Sequence, residues 1–269
     1  MPLPPTRYVI ADGLKTAYVE AGKGFPLILV HGLGSSKFTW RHCLEPLSKH
    51  FRVIAVDMKG CGESEKKFRD FSLESHVHFL EKFTEALGIK KAHWAGNSLG
   101  GGLVVAVAGL FPERVEKLIL LAPAVYGMRL PSLFWLFTVP VVKLLLPLMN
   151  GPFLTRVNFL RAVHHKERVT DAIIREYHAP FNSFWARHSF MRLCDNLSRH
   201  PGLGDHVQTL KKETLILWGD EDEVIPITYG ERLAKELPRG TLRLISDCGH
   251  APQEDQPEET CRLVLEFLR

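Results

Sequence analysis

The stretch AGNSLGGG, residues 95–102, sets four glycines around one serine, between a strand-like run (AHWAG, 92–96) and an apolar helix-like run that continues to Phe111. Glycine costs a helix about 1 kcal/mol relative to alanine, so this crowding weakens both neighbours unless it serves the serine. A strand that turns at once into a helix must bend sharply at one residue. If Ser98 is that residue, its hydroxyl stands exposed at the carboxyl edge of a sheet, and Gly96 and Gly100 make the room the bend requires. Gly101 and Gly102 would let the helix lie close to the sheet. The first turn of that helix also offers a backbone N–H, from Leu99, to a developing oxyanion. A serine in G-x-S-x-G can equally be a plain helix N-cap. The strand before it and the helix after it move the reading to a nucleophile, which needs a base oriented by a third group.

Outward from this turn the chain alternates strands and helices. RYVIADG (7–13) and KTAYVEAG (15–22) read as a hairpin joined at Asp12-Gly13. PLILVHG (26–32) is a short, fully apolar strand of the kind covered on both faces. A helix near 37–47, a strand at 51–57, a helix at 72–87, the strand before Ser98 and a strand at 115–123 follow. This is the pattern of a mostly parallel, doubly wound sheet. From 125 to 205 the alternation stops and the sequence reads as helices, with ten Lys/Arg against five Asp/Glu, a net of 10 − 5 = +5. That segment is expected to be an inserted cap, with the core formed by 1–124 and 206–269. Beyond it come strands at 213–219 and 242–246 and helices at 227–237 and 257–268.

The bulk numbers bound the function. The 269 residues carry 45% hydrophobic and 24% charged side chains, and a chain of this length buries roughly 70–75% of its unfolded surface. A net charge of +4 without a Lys/Arg run argues against a nucleic-acid partner. The five scattered cysteines lack C-x-x-C spacing and read as reduced thiols of a cytoplasmic protein, with neither a disulfide frame nor a metal site. The opening MPLPPTRYVIADG has no apolar h-region and is read as no signal peptide. LPSLFWLFTVPVVKLLLPLM (130–149) reaches the roughly 20 residues a membrane span needs. Pro131, Pro140, Pro147 and Lys143 interrupt it, so it reads as broken helices over a cavity, and contact with a membrane surface is not favoured.

Five motifs in order give the chain a resemblance to the serine-dependent α/β-hydrolases, nearly end to end. GNSLG (96–100) resembles the family's nucleophile elbow and HGLGSS (31–36) its oxyanion loop. DMKGCGES (57–64) is similar to its D-x-x-G-x-G-x-S turn. WGDEDEVIP (218–226) and DCGHAPQEDQPEE (247–259) are similar to the loops that carry the acid and the base. The resemblance implies the α/β-hydrolase fold, a mostly parallel doubly wound sheet with an inserted helical cap, and no cofactor. It implies Ser98 as nucleophile and His250 as base, in the chain order Ser…Asp…His. Among Asp220, Glu221, Asp222 and Glu223, the family spacing of three residues after the strand's closing glycine selects Asp222 as the acid. The backbone N–H groups of Leu33 and Leu99 would form the oxyanion hole. His31 and Asp57 are expected to be structural, bonding within their own loops, and His164 and His165 to lie on a cap surface.

The cap is rich in aromatic residues, and a greasy lid over a serine site points to a hydrophobic acyl or aryl group. Phe38, Trp40, Trp135 and Phe184 are the candidate pocket residues. The leading expectation is a carboxylic-ester hydrolase that works through an acyl-enzyme. A second expectation is hydrolysis of a carbon–carbon bond in ring-fission diketones, because GNSLGG is close to the GNSMGG of such enzymes. Their oxyanion loop usually continues Gly-Pro-Gly where this chain has GLGSS, and they need a cap arginine, for which Arg187 and Arg192 are candidates. An ester on an acidic acyl carrier protein would suit the basic cap. A small-molecule receptor is the non-enzyme alternative, resting on fold alone. Dehalogenase and epoxide hydrolase readings fail because those relatives need Asp where this chain has Ser98.

Overall fold

The strands β1 (Arg7–Ala11), β2 (Leu14–Ala21), β3 (Pro26–Val30), β4 (Arg52–Val56), β5 (Ala92–Asn97), β6 (Val115–Leu121), β7 (Thr214–Gly219) and β8 (Gly240–Ile245) form one sheet. Their order is β1-β2-β4-β3-β5-β6-β7-β8, with β2 antiparallel to both its neighbours and every other pairing parallel. The computed structural model describes residues 3–67, 70–126, 151–199 and 202–269. The β1–β2 hairpin turns at Asp12 (φ +51°) and Gly13 (φ +73°), as two-residue turns that match strand twist require.

Alternation along the central strands divides the core in two. Ile28, Val30, Ile54, Val56, Trp94 and Trp218 face one side, packed under helices α2 (Leu73–Ala86), α3 (Leu99–Leu110) and the later helix Ile227–Glu236. Leu27, Leu29, Val53, Ala55, Leu215 and Leu217 face the other, under α1 (Arg41–Ser48) and the last helix Pro257–Leu268. All these side chains are buried, and the Val, Leu and Ile among them each contribute about 1.5–3 kcal/mol. A sheet covered on both faces can present chemistry only at its strand ends, where the loops lie.

Between β6 and β7 the described residues hold three α-helices and no strand: α4 (Phe153–Ala162), α5 (Asp171–His178) and α6 (Phe184–Arg199). Tyr126 and Gly202, near the two ends of this excursion, form an isolated antiparallel bridge. The helices after it are α7 (Ile227–Glu236), α8 (Pro252–Asp255) and α9 (Pro257–Leu268). The helix expected at 37–47 begins instead as a tight turn, Lys37–Trp40, capped by Ser36, before α1 starts. The apolar stretch 130–149, including Trp135, lies outside the described residues. Among the described residues no helix is long and apolar enough to cross a membrane.

Candidate active site

The bend between β5 and α3 falls on Ser98, with φ +53° and ψ −120°. This region costs a non-glycine residue about 1–3 kcal/mol and persists only where its surroundings fix it. They do. Ser98 N–H donates to Leu121 O (2.9 Å), and Ser98 O accepts from Ala124 N–H (2.8 Å) and Gly102 N–H (3.1 Å). A Cβ on Gly96 would lie 2.4 Å from Gly100 O, and one on Gly100 would lie 2.4 Å from Val30 O. A Cβ on Gly101 would meet Pro123 at 2.6 Å, and one on Gly102 would meet Ala124 O at 2.3 Å. All four glycines therefore make room for a tight elbow. The Ser98 side chain does not cap α3, which removes the N-cap reading.

His250 follows β8, and its Nδ1 lies 2.9 Å from Asp222 Oδ2, with both side chains buried. The other oxygen, Asp222 Oδ1, accepts from the backbone N–H groups of Val224 (2.8 Å) and Ile225 (2.9 Å). Of the four carboxylates in the GDEDE loop, Asp222 is the one that meets the imidazole. Asp220 instead accepts from Cys248 N–H at 3.4 Å. Ser98 and His250 line the same cavity. Among the described residues no hydrogen bond reaches the Ser98 hydroxyl, and catalytic contacts of this kind often tighten only when substrate is bound.

His31 and Asp57 shape the loop opposite the elbow. His31 bonds Gly32 O through Nδ1 (2.8 Å), while its Nε2 accepts from Met58 N–H (3.1 Å). Burial pushes its pKa below the ordinary value, against the pull of Asp57, so the ring is a neutral brace. Asp57 accepts from Lys37 N–H (2.7 Å), Lys37 Nζ (2.7 Å) and Glu63 N–H (2.8 Å). Burial opposes the charge on Lys37, but the Asp57 carboxylate outweighs it and raises the ammonium's pKa. Both residues are structural, as their sequence context indicates. Between them, Gly32 sits so close to the elbow that a Cβ there would lie 3.2 Å from Ser98 Cβ. Leu33 and Leu99 line the cavity beside Ser98.

Above these residues, helices α4, α5 and α6 border a cavity of about 830 Å³. Its wall is mainly apolar, with Phe153, Leu154, Phe159, Phe181 and Phe190 among the cap residues, and two arginines, Arg161 and Arg187, interrupt it. Three of the four aromatic pocket candidates fall elsewhere. Phe38 does not line the cavity: its ring is covered by the Arg41 guanidinium (4.4 Å) and packs edge-on against Tyr177. Trp40 is buried in the core under α1. Phe184 is 42% exposed and packs on Trp185 and His188 at the surface. The fourth, Trp135, lies outside the described residues. Arg192, the alternative cap arginine, lies over the Phe71 ring and does not line the cavity.

Several residues to which the motifs assign no role also hold the site. Asn97 donates from Nδ2 to His250 O (3.1 Å) and Leu121 O (3.1 Å), and its Oδ1 accepts from Gln253 (3.2 Å). The residue before the nucleophile is thereby tied to the loop of the base, 153 positions away. Glu254 takes both guanidinium nitrogens of Arg41 (2.7 and 2.6 Å), the Thr39 hydroxyl (3.0 Å) and the hydroxyl of Tyr177 in the cap.

The arrangement of sheet, elbow and strand-end loops has a counterpart among known proteins. The family model described as alpha/beta hydrolase fold matches residues 26–157 and 174–257. The chain belongs to the alpha/beta hydrolase fold family. It is similar to the 2-hydroxymuconate semialdehyde hydrolase of Pseudomonas sp. (strain CF600), with 31% identity over 97% of this chain and 93% of that one. Among solved structures it is similar to a meta-cleavage product hydrolase of Pseudomonas fluorescens IP01 (30% identity, TM-score 0.83, 97% of each chain). It is also similar to a membrane phospholipase A (26% identity, TM-score 0.83, 98% of this chain and 85% of that one). Within the alpha/beta hydrolase family, this chain is a serine hydrolase with a small-molecule substrate.

Proposed function

We propose that this serine hydrolase cleaves a carbon–carbon bond next to a ketone in a ring-fission product, a dienoate that carries a carboxylate at its far end. The observation that carries the reading is that two arginines, Arg187 and Arg161, line a mainly apolar cavity that Ser98 and His250 also border. A conjugated acid of this kind has an aryl or alkyl ketone at one end and an anion at the other. Apolar walls suit the first, and a planar cation suits the second. The similarity to ring-fission product hydrolases at 30–31% identity supports the same choice. It moves the proposal away from the simple ester that composition alone favours.

The chemistry follows from the geometry. His250, held at Nδ1 by Asp222, takes the proton from the Ser98 hydroxyl as its oxygen attacks the ketone. The oxyanion is received by the N–H groups of Leu33 and Leu99, each worth about 2.7–4 kcal/mol of barrier. The enol of the dienoate first gives up its O–H proton as a proton is added at the carbon beside the ketone. Collapse of the tetrahedral adduct then breaks the bond to that carbon, whose electron pair passes into the resulting enone as a dienolate and is quenched by the proton held on His250. Water, activated by the same imidazole, then releases the acyl group from Ser98. Ester hydrolysis uses these parts with an alkoxide as leaving group. That second reading is favoured by one feature, the GLGSS sequence of the oxyanion loop in place of Gly-Pro-Gly.

The test is a substrate panel: a phenyl-substituted ring-fission dienoate beside p-nitrophenyl esters from C2 to C16. The proposal expects the dienoate to be preferred in kcat/KM, and Arg187→Gln to raise KM for the dienoate but not for the esters. Turnover of esters alone, with no arginine effect, would replace it by the ester reading.

A further inference from the structure

The base is clamped from more sides than catalysis of one proton transfer requires. Gly249 N–H, just before His250, donates to Asp255 Oδ2 (2.7 Å). His250 O accepts from Asn97 (3.1 Å). Ala251 N–H, just after it, donates to Ala162 O at the end of α4 (3.1 Å). One of these three ties leads directly to the cap and a second reaches it through Asp255, whose carboxylate also accepts from His164 N–H (2.7 Å) and His165 N–H (3.2 Å). Arg168 donates to the Asp255 carbonyl (2.7 Å). The side chain of Asp255 is therefore a buried bridge, with three backbone donors drawn from two parts of the chain some ninety positions apart in sequence.

A second, independent observation is steric. A Cβ on Gly249 would lie 2.8 Å from His164 N, 3.0 Å from Ala162 O and 3.0 Å from Asp255 Oδ2. The cap backbone is pressed against the residue that precedes the base, and only a glycine lets it approach so closely.

We propose that Asp255 is a positioning residue that sets the orientation of His250 through Gly249 and locks it to the cap at residues 162–165. The position of the cap and the alignment of the base are then one coupled variable. A cap displaced at 162–165 releases the Ala251 amide directly and strips the Asp255 carboxylate that holds Gly249 of two of its three donors, so the base is aligned toward Asp222 only while the cap is seated. A buried carboxylate carrying three N–H donors is well suited to this. Replacing one of its oxygens by an NH₂ group opposes donor to donor at His165, or at Gly249 and His164 if the amide is turned over, and leaves only neutral bonds at the remaining oxygen, so the bridge is weakened without changing its size.

This inference rests on His250 being the base. Its test uses the whole protein and two variants, Asp255→Asn and Arg168→Ala, the second loosening the same joint from the cap side while leaving every buried carboxylate in place. Three quantities are measured: hydrogen exchange at the 164 and 165 amides, the proton resonance of the His250 Nδ1–H, and the pH profile of kcat and kcat/KM on p-nitrophenyl butyrate. Asp255→Asn is expected to exchange faster at 164 and 165, to shift the ring proton, and to lower kcat on the order of 10²-fold with KM little changed. The pH profile of kcat/KM departs from that of the wild type, because the imidazole loses its alignment with Asp222. Arg168→Ala gives the same changes at smaller amplitude. A folded Asp255→Asn protein whose ring proton and pH profile stay at wild-type values overturns the proposal, since Asp255 would then only fasten the cap. If Asp255→Asn does not fold, Arg168→Ala decides: a shifted ring proton supports the coupling, and an unshifted one overturns it. The resonance and exchange readings need no substrate, so failure of the coupling is distinguishable from failure of the carbon–carbon reading.

Discussion

Two strand-end regions carry the same pair of residue types, an aspartate and a histidine, to opposite ends. At the ends of β3 and β4, Asp57 and His31 have their polar atoms engaged by the scaffold. Asp57 receives two backbone N–H groups and a lysine, and His31 bonds a carbonyl and an amide through its two nitrogens. At the ends of β7 and β8, Asp222 gives one oxygen to backbone amides and the other to His250. Among the described residues no bond is made to His250 Nε2, and the ring borders the cavity. A histidine engaged on both nitrogens can only brace. One engaged on a single nitrogen, with a carboxylate behind it, can still move a proton.

The sharpest way to break this comparison is to make the same substitution in both regions. Asp222→Asn keeps an acceptor for Val224 and Ile225 but loses the tautomer control of His250. A fall of about 10⁴-fold in kcat is expected, with the thermal midpoint little altered. Asp57→Asn does the reverse. It leaves the buried Lys37 ammonium without its main counter-charge, so urea unfolding should show a loss of about 3–5 kcal/mol while kcat per folded molecule changes little. If Asp57→Asn impaired turnover as deeply as Asp222→Asn, the division into brace and chemistry would be wrong.

A smaller effect sharpens the same division. His76, a second bracing histidine, is buried in α2 with Nδ1 on Ser72 O (2.8 Å), and burial pushes its pKa down to about 4. The folded state therefore binds this proton less readily than the unfolded chain, whose value lies near 6.5. Its stabilising contribution is complete above pH 6.5 and is lost as the pH falls toward 4; His31 acts in the same direction. Urea unfolding at about pH 7.5 and pH 5 should show His76→Gln losing about 2 kcal/mol of the wild-type difference between these conditions.

Much of this was legible in the sequence. Strand-end motifs are local: the glycines at 96 and 100–102, the turn at Asp57 and the spacing from Gly219 to Asp222 each encode a short-range steric or hydrogen-bonding need. They can be read before any long-range contact is known. The aromatic pocket residues were not legible, because an aromatic side chain near a site packs as readily into the core as into a cavity. Trp40 went under α1, Phe38 under Arg41, and Phe184 to the surface. The ties from Asn97 to the base loop and from Asp255 to residues 164 and 165 are set by contacts 153 and about 90 positions apart. Nothing in the neighbouring sequence announces them.

The central claim is that Ser98 is the nucleophile served by His250 and Asp222. Its most direct test is to react the wild-type protein and Ser98→Ala with a fluorophosphonate and map the adduct by peptide mass spectrometry. The account predicts one phosphonyl group on the peptide containing Ser98, with labelling and turnover both absent in the folded Ser98→Ala protein. A variant that still hydrolyses substrate, or an adduct carried by another residue, would contradict it.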